Sequence, residues 1–466
     1  MKNKINTFLS IKKSFFTFLL FFTTVNSGFA KESLPLFDPM DVFNLEWATD
    51  PRVSPDGKSI VYVRKSNDIM KDRERSNLWQ ISIDGNDHRP LYSGLNSIRS
   101  PRWSPNGSKL AYISNDTGSQ QIHVRWMDDG ETAVISQLQQ SPSSLAWSPD
   151  GKWLAFTMNV KSELESIAEP RDKPLGAKWA KEPITVTSTR YQWDGQGIME
   201  PAYRHLFIVP SDGGSARQLT FGEFNHYGSL AWAPDSQKIF FSAHRSENWE
   251  LVSDEADIYS VDIITKDLIQ ISDEVGAERS PSISPNGKMI AYSFEERRPL
   301  AYTPNQVAIM DINGNNKRII SKDLDGDADN LQWSDDNRSI FFSYDQRGIR
   351  KIGQLMLNGE IKNITNGLGG TTLGRPYLSG SYHHSAQNIA FTYGGGNRPA
   401  DVAVLMNGKV NVLTELNNDL LDQLKLGDIN ELVYNSSFDD QEIQGWYITP
   451  PDLSLIHISE PTRRYE

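Results

Sequence analysis

The stretch 145–158, Leu-Ala-Trp-Ser-Pro-Asp-Gly-Lys-Trp-Leu-Ala-Phe-Thr-Met, is one copy of a plan that the chain repeats. Ser148-Pro149-Asp150-Gly151 reads as a tight reversal: proline sets φ at the second turn position, and glycine takes the left-handed closing one. From Trp153 to Met158 large and small apolar residues alternate, which is a strand pattern. Equivalent turns are Ser54-Pro55-Asp56-Gly57, Ser104-Pro105-Asn106-Gly107, Ala233-Pro234-Asp235-Ser236, Ser284-Pro285-Asn286-Gly287 and Ser334-Asp335-Asp336-Asn337. A degraded seventh copy begins at His383, placed by the strand Ile389-Ala390-Phe391-Thr392. Successive starts lie 50, 44, 85, 51, 50 and 49 residues apart. A period of roughly 40–50 residues suits a four-stranded propeller blade.

Third strands are expected at 78–83, 121–126, 205–209, 257–263, 306–312, 351–357 and 401–406. Most end in what reads as a two-residue turn: Asp84-Gly85, Asp129-Gly130, Asp212-Gly213, Asn313-Gly314, Asn358-Gly359 and Asn407-Gly408. Such pairs supply the two positive φ angles of a tight hairpin. Short closing strands follow, such as Arg217–Thr220 and Lys317–Ser321. Trp103, Trp147, Trp232 and Trp333, just ahead of their turns, are expected to pack between blades. The fold expected is an all-β, seven-bladed β-propeller over 51–432, preceded by a lead-in segment, 31–50, with a helical turn at Pro39–Phe43.

The first thirty residues read separately. Lys2, Lys4, Lys12 and Lys13 precede an apolar run, Phe15–Phe22, and Gly28-Phe29-Ala30 supplies small residues for cleavage. This is the pattern of a secretory signal peptide, 1–30, cut after Ala30, and the run is short for a membrane anchor of roughly 20 residues. The protein is therefore expected in the periplasm or secreted. Cleavage removes four positive charges and moves the net charge from −12 to −16. Such an acidic chain is a poor partner for nucleic acid or an anionic membrane surface. The absence of cysteine excludes disulfides and thiolate chemistry.

The long interval in blade three holds an insert, 159–203, with Trp179, Tyr191, Trp193, Tyr203, several glutamates and arginines, and the run Asp194-Gly195-Gln196-Gly197. It reads either as a loop over the mouth or against a partner domain, or as a decorated surface loop. Asp323-Leu324-Asp325-Gly326-Asp327-Ala328-Asp329 fails the EF-hand spacing and reads as a solvated inter-blade turn. The glycines of 367–374 and 394–396 match no phosphate-binding pattern and read as loops. Neither G-x-S-x-G nor H-E-x-x-H occurs, and the eight histidines lack ligand spacing. His383-His384 reads as incidental to a degenerated turn. No catalytic, cofactor-binding or metal-binding residue is assigned within the chain, and no cofactor is expected.

Tyr434–Pro451 opens a hairpin off the repeat period, with Asp439-Asp440-Gln441-Glu442-Ile443-Gln444-Gly445-Trp446 followed by Pro450-Pro451. It resembles the junction at which serine peptidases of the prolyl oligopeptidase family leave their propeller, D-G-x-x-I-x-G-W and then P-P. Asp50–Gly57, His205–Pro210, Gln218–Thr220, Gly374–Tyr377 and Arg398–Val402 resemble the acylaminoacyl-peptidase or dipeptidyl-aminopeptidase-like branch, while the blades also resemble TolB-type propellers. The resemblance covers about 35–452. It implies that 433–452 starts an α/β-hydrolase domain, that the propeller gates access of short peptides, and that serine, histidine and aspartate of that domain act through an acyl-enzyme. The tail Leu453–Glu466 departs from the family and is expected to be translated adapter or contig-end sequence on a truncated reading frame. The chain alone is then expected to be inactive. Its expected partners are short peptides and its own hydrolase domain. The other reading is a non-enzymatic periplasmic TolB-type propeller that binds proteins.

Overall fold

The computed structural model describes residues 34–162, 171–180, 184–252, 255–298, 300, 302–371 and 379–453. The expected signal peptide, the stretch 374–377 and the tail from 454 onward lie outside the described residues.

Seven four-stranded antiparallel sheets follow one another along the chain, and each is built from strands in simple sequence order. Blade one comprises Glu46–Val53, Ser59–Asp68, Arg73–Ser82 and Arg89–Tyr92. The first strands of the later blades are Ile98–Trp103, Ser143–Trp147, His226–Trp232, Gly276–Ile283, Ala328–Trp333 and Tyr382–Ser385. These first strands surround the axis, and each touches a neighbour's. The lead-in segment forms a 3-10 helix, Pro39–Asn44, capped by Asp38. The chain is a seven-bladed β-propeller.

Apolar residues run continuously along each second strand because both faces of its sheet are covered. In the pairs Val61-Tyr62, Ala111-Tyr112, Ala155-Phe156, Ala291-Tyr292 and Ala390-Phe391, the aromatic ring joins the cluster shared with the preceding blade. The smaller residue of each pair joins the cluster shared with the following blade. A strand period of two turns adjacent residues to opposite faces, so one dipeptide serves two seams. The core is thus a set of apolar sectors, one per seam, rather than a single mass. Each buried ring or branched chain contributes about 1.5–3 kcal/mol.

The turns explain the repeat in more detail. Ser54 Oγ donates to Asp56 Oδ1 (2.6 Å) and accepts from Ser59 N (3.0 Å). Ser104, Ser148, Ser284 and Ser334 make the same pair of bonds. Gly57, at φ 71°, closes its turn. Where the glycine is replaced, the new side chain bonds to the turn of the preceding blade. Ser236 Oγ accepts from Asp150 N (3.0 Å), and Asn337 Oδ1 from Asn286 N (2.9 Å).

Two expectations are corrected. Only Asn407-Gly408 has positive φ at both residues. At Gly85, Gly314 and Gly359 only the glycine does, and bonds such as Ser82 N to Asn86 O (2.9 Å) enclose a three-residue loop. The glycine there follows a type I turn instead of completing a two-residue one. In blade seven, His383 and His384 lie within the first strand, not in its turn, which is Ala386-Gln387 at φ 49° and 63°.

The expected inter-blade tryptophans are in place. Trp103 Nε1 donates to Arg52 O (3.0 Å), Trp147 to Arg102 O (2.9 Å), Trp232 to Ala146 O (3.4 Å) and Trp333 to Ser282 O (2.9 Å). Each stitches its blade to the one before. Blade seven meets blade one without exchanging a strand. Asn417 Oδ1 accepts from Glu46 N (2.8 Å) while its Nδ2 donates to Glu46 O (2.7 Å). His383 Nδ1 accepts from Val53 N (3.2 Å), and Ala48, Tyr62, Ala390 and Val402 share one apolar sector.

Candidate interdomain face

In such a blade the turns after the first and third strands lie on one face of the ring. The loops between second and third strands lie on the other. Blade three's insert joins Trp153–Lys161 to Ala202–Pro210, so it rises from that second face. Its strands extend three residues further on each side than the sequence implied, pairing Lys161 with Ala202. Within the insert, Gln192–Trp193 pairs with Gly197–Ile198. Trp179, Tyr191 and Trp193 are exposed, while Tyr203 packs edge-on against Trp249 (6.2 Å). Glu163, Glu165, Glu169 and Glu182 lie outside the described residues.

The hairpin Asp428–Asn435 and Glu442–Thr449 stands on the same face and, among the described residues, pairs only with itself. Its alternation divides it into two sides. One side touches the propeller at three points, while its Val433, Trp446 and Ile448 stay 45–69% exposed. Trp446 covers Gly348, where any side chain would collide with the ring, and Ile429 covers Gly396. Glu442 meets Arg347 at 2.9 Å. A cavity of about 360 Å³ lies at its root, lined in part by Phe37, Leu45, Arg398, Leu421, Ile429 and Ile448. The opposite side carries Leu432, Tyr434, Ile443 and Tyr447 around Gly445, and these four are 38–50% exposed. A two-stranded ribbon with an exposed apolar face is marginal alone.

The electrostatics of the ring are uneven. At the seam of blades four and five, Glu278 is fully buried where the corresponding residues of blades one, two and six are Ala48, Ile98 and Ala328. Its Oε1 has no hydrogen-bond partner among the described residues, and Lys317 Nζ stands 4.0 Å away. Beside it, burial pushes the Asp257 carboxyl up to about 7, reinforced by Glu278, Glu255 and Asp273 and opposed by Lys317. In blade four, His226 accepts from Arg245 Nη1 at Nε2 (2.8 Å) and bonds Arg204 O through Nδ1 (2.7 Å). Burial holds it down to about 3, with His205 and Arg245 adding to the effect.

The acidic run before blade six is engaged locally. Asp327 accepts from Asn305 N (2.7 Å), and Asp329 pairs with Arg350 (3.1 Å). Gly370 and Gly394 let two loops of blade seven approach without side chains between them. No group of three or more histidine or carboxylate side chains placed to hold a metal occurs among the described residues.

The sequence of 59–301 matches the profile of the TolB beta propeller domain. Over 208 residues the chain is 32% identical to the uncharacterized peptidase YuxL of Bacillus subtilis, covering 44% of this chain and 31% of that protein. Over 340 residues it is 24% identical to the dipeptidyl-peptidase 5 of Porphyromonas gingivalis, covering 69% and 48% of the two chains. The fold is similar to that of the acylaminoacyl peptidase of Pyrococcus horikoshii, with a TM-score of 0.68 at 14% identity over 88% of this chain and 58% of that one. The chain thus spans half or less of the curated relatives' length, and its propeller is related to the propellers of these peptidases. Because the domain profile covers more than half of the sequence, the protein belongs to the TolB β-propeller family.

Proposed function

We propose that this chain is the propeller portion of an exported serine peptidase of the prolyl oligopeptidase type, which cleaves short peptides through an acyl-enzyme. The observation that carries this reading is the hairpin 428–449, which touches the propeller through Trp446, Ile429 and Glu442 and leaves large apolar residues exposed on both sides. A following α/β-hydrolase domain would add strands to it and cover Leu432, Tyr434, Ile443 and Tyr447. The propeller then caps that domain and limits entry to short, extended chains. The catalytic serine, histidine and aspartate belong to the following domain, where the serine attacks the carbonyl and the histidine moves the proton. The lysine-rich start and apolar run of residues 1–30 support export to the periplasm or medium.

The test compares two proteins on aminoacyl- and dipeptidyl-p-nitroanilides. The chain extended through its following coding sequence is expected to release nitroaniline and to be silenced by a serine-directed phosphonofluoridate. The 466-residue chain alone is expected to release none. Turnover by the chain alone, or a following sequence without a serine nucleophile, refutes the proposal.

A further inference from the structure

The inner edges of the first strands line the central channel, and its wall is chemically lopsided. Two residues before their turns, blades three to six carry the uncharged Ala146, Ala231, Ser282 and Gln332. The corresponding residues of blades one and two are Arg52 and Arg102. Asp50 sits between them, receiving Arg52 Nε (2.7 Å) and Nη2 (2.6 Å) on Oδ1 and Arg102 Nη1 (2.8 Å) on Oδ2. Two guanidiniums on one carboxylate leave a net positive charge in a chain of net charge −12. Among the described residues, Arg52 Nη1 and Arg102 Nε and Nη2 donate to no protein atom.

The cluster is held in place. Asp50 has φ 49° and donates its N–H to Ser381 Oγ (3.0 Å), which ties its backbone to blade seven. The arginine side chains keep 20% and 26% of their accessible surface, so water and small anions can reach them. His383 lies close enough to feel all three charges, and burial keeps it neutral. Its Nδ1 accepts from Val53 N, which places the ring proton on Nε2 as another donor. Burial and the neighbouring Arg102 hold the Arg52 guanidinium down to about 10, so a second anion would relieve the crowding of positive charge.

We propose that Arg52, Arg102 and His383 form an anion site in the channel that takes a peptide carboxylate, with Asp50 setting its strength. A guanidinium fork suits a planar carboxylate, and the two forks together offer the donors that Asp50 does not take. That the carboxylate arrives on a peptide rests on the peptidase reading. The carboxylate site itself does not, because binding requires no catalysis.

The test is isothermal titration of the 466-residue chain. The probes are N-acetyl-trialanine, its C-terminal amide, the amidated N-acetyl-Ala-Asp-Ala peptide and inorganic phosphate. Saturable binding of a carboxylate peptide is expected, with the trialanine amide at least ~10-fold weaker. The first and third probes separate a chain terminus from an acidic side chain. Arg102→Gln should weaken binding about 10-fold, with Arg102→Lys between it and the parent. Asp50→Asn should tighten binding by about 5–10-fold, and asparagine tolerates that φ. Equal binding of trialanine and its amide, phosphate binding without peptide binding, absence of saturation, or an Asp50→Asn variant of unchanged affinity overturns the proposal. Failure here with hydrolysis intact in the extended protein would leave the peptidase reading standing.

Discussion

Replacing Asp257 by asparagine should stabilise the propeller, and only on the alkaline side of its titration. The folded acid takes up its proton near 7 while the unfolded one does so near 3.8, so the folded state binds the extra proton between those values. Stability from this group is therefore complete below about 4 and is lost as pH rises through 7. Fully coupled, the difference amounts to ~4 kcal/mol. The side chain is only half-buried and Lys317 stands nearby, so screening reduces the expected effect to about 1–2 kcal/mol. Thermal unfolding of parent and Asp257→Asn from pH 4 to pH 8 gives the check. The two curves should coincide at pH 4 and separate by about 2 °C at pH 8, with the variant higher. A separation that does not change with pH, or a variant less stable at pH 8, refutes the account of burial, reinforced by Glu278, Glu255 and Asp273, as the source of strain.

Asn417→Ala should lower stability by about 2–4 kcal/mol in urea titration, because it leaves both backbone groups of Glu46 without partners at the closing seam. His226, depressed to about 3, makes folding less favourable as pH falls from 6.5 towards 3. In His226→Phe, the fall in unfolding temperature between pH 6.5 and 4 should be shallower than in the parent. Gln387→Gly should stabilise by about 1 kcal/mol in the same assay, since glycine adopts φ 63° without the cost a side chain meets there.

The blades could be read from the sequence because their information is local. A turn of four residues, an apolar strand and a tryptophan all fall within fifteen residues, as in Ala146–Phe156. The glycine turns after the third strands are visible in the sequence but not their type, because Asn313-Gly314 and Asn407-Gly408 share a composition and differ in loop length. Blade seven was harder, since Ala386-Gln387 carries positive φ without glycine or asparagine. The hydroxyl that closes the fourth strand of five blades carries a sequence signal that the turn pattern does not use. Ser136, Thr220, Ser272, Ser321 and Thr414 each accept the N–H of a residue on their blade's third strand. The channel cluster could not be found, because Asp50 and Arg102 come together only when blades one and two stand side by side.

No strand of the first blade waits for the last, since every sheet is assembled from neighbouring segments. A chain leaving the ribosome can therefore complete its blades in order, each offering its bare flank to the next arrival. The cost falls on blade one, whose Ala48 and Tyr62 remain without cover until Ala390 and Val402 have been synthesised. Until then the unfinished arc carries two sticky ends, and a second arc can meet them as readily as the chain's own seventh blade.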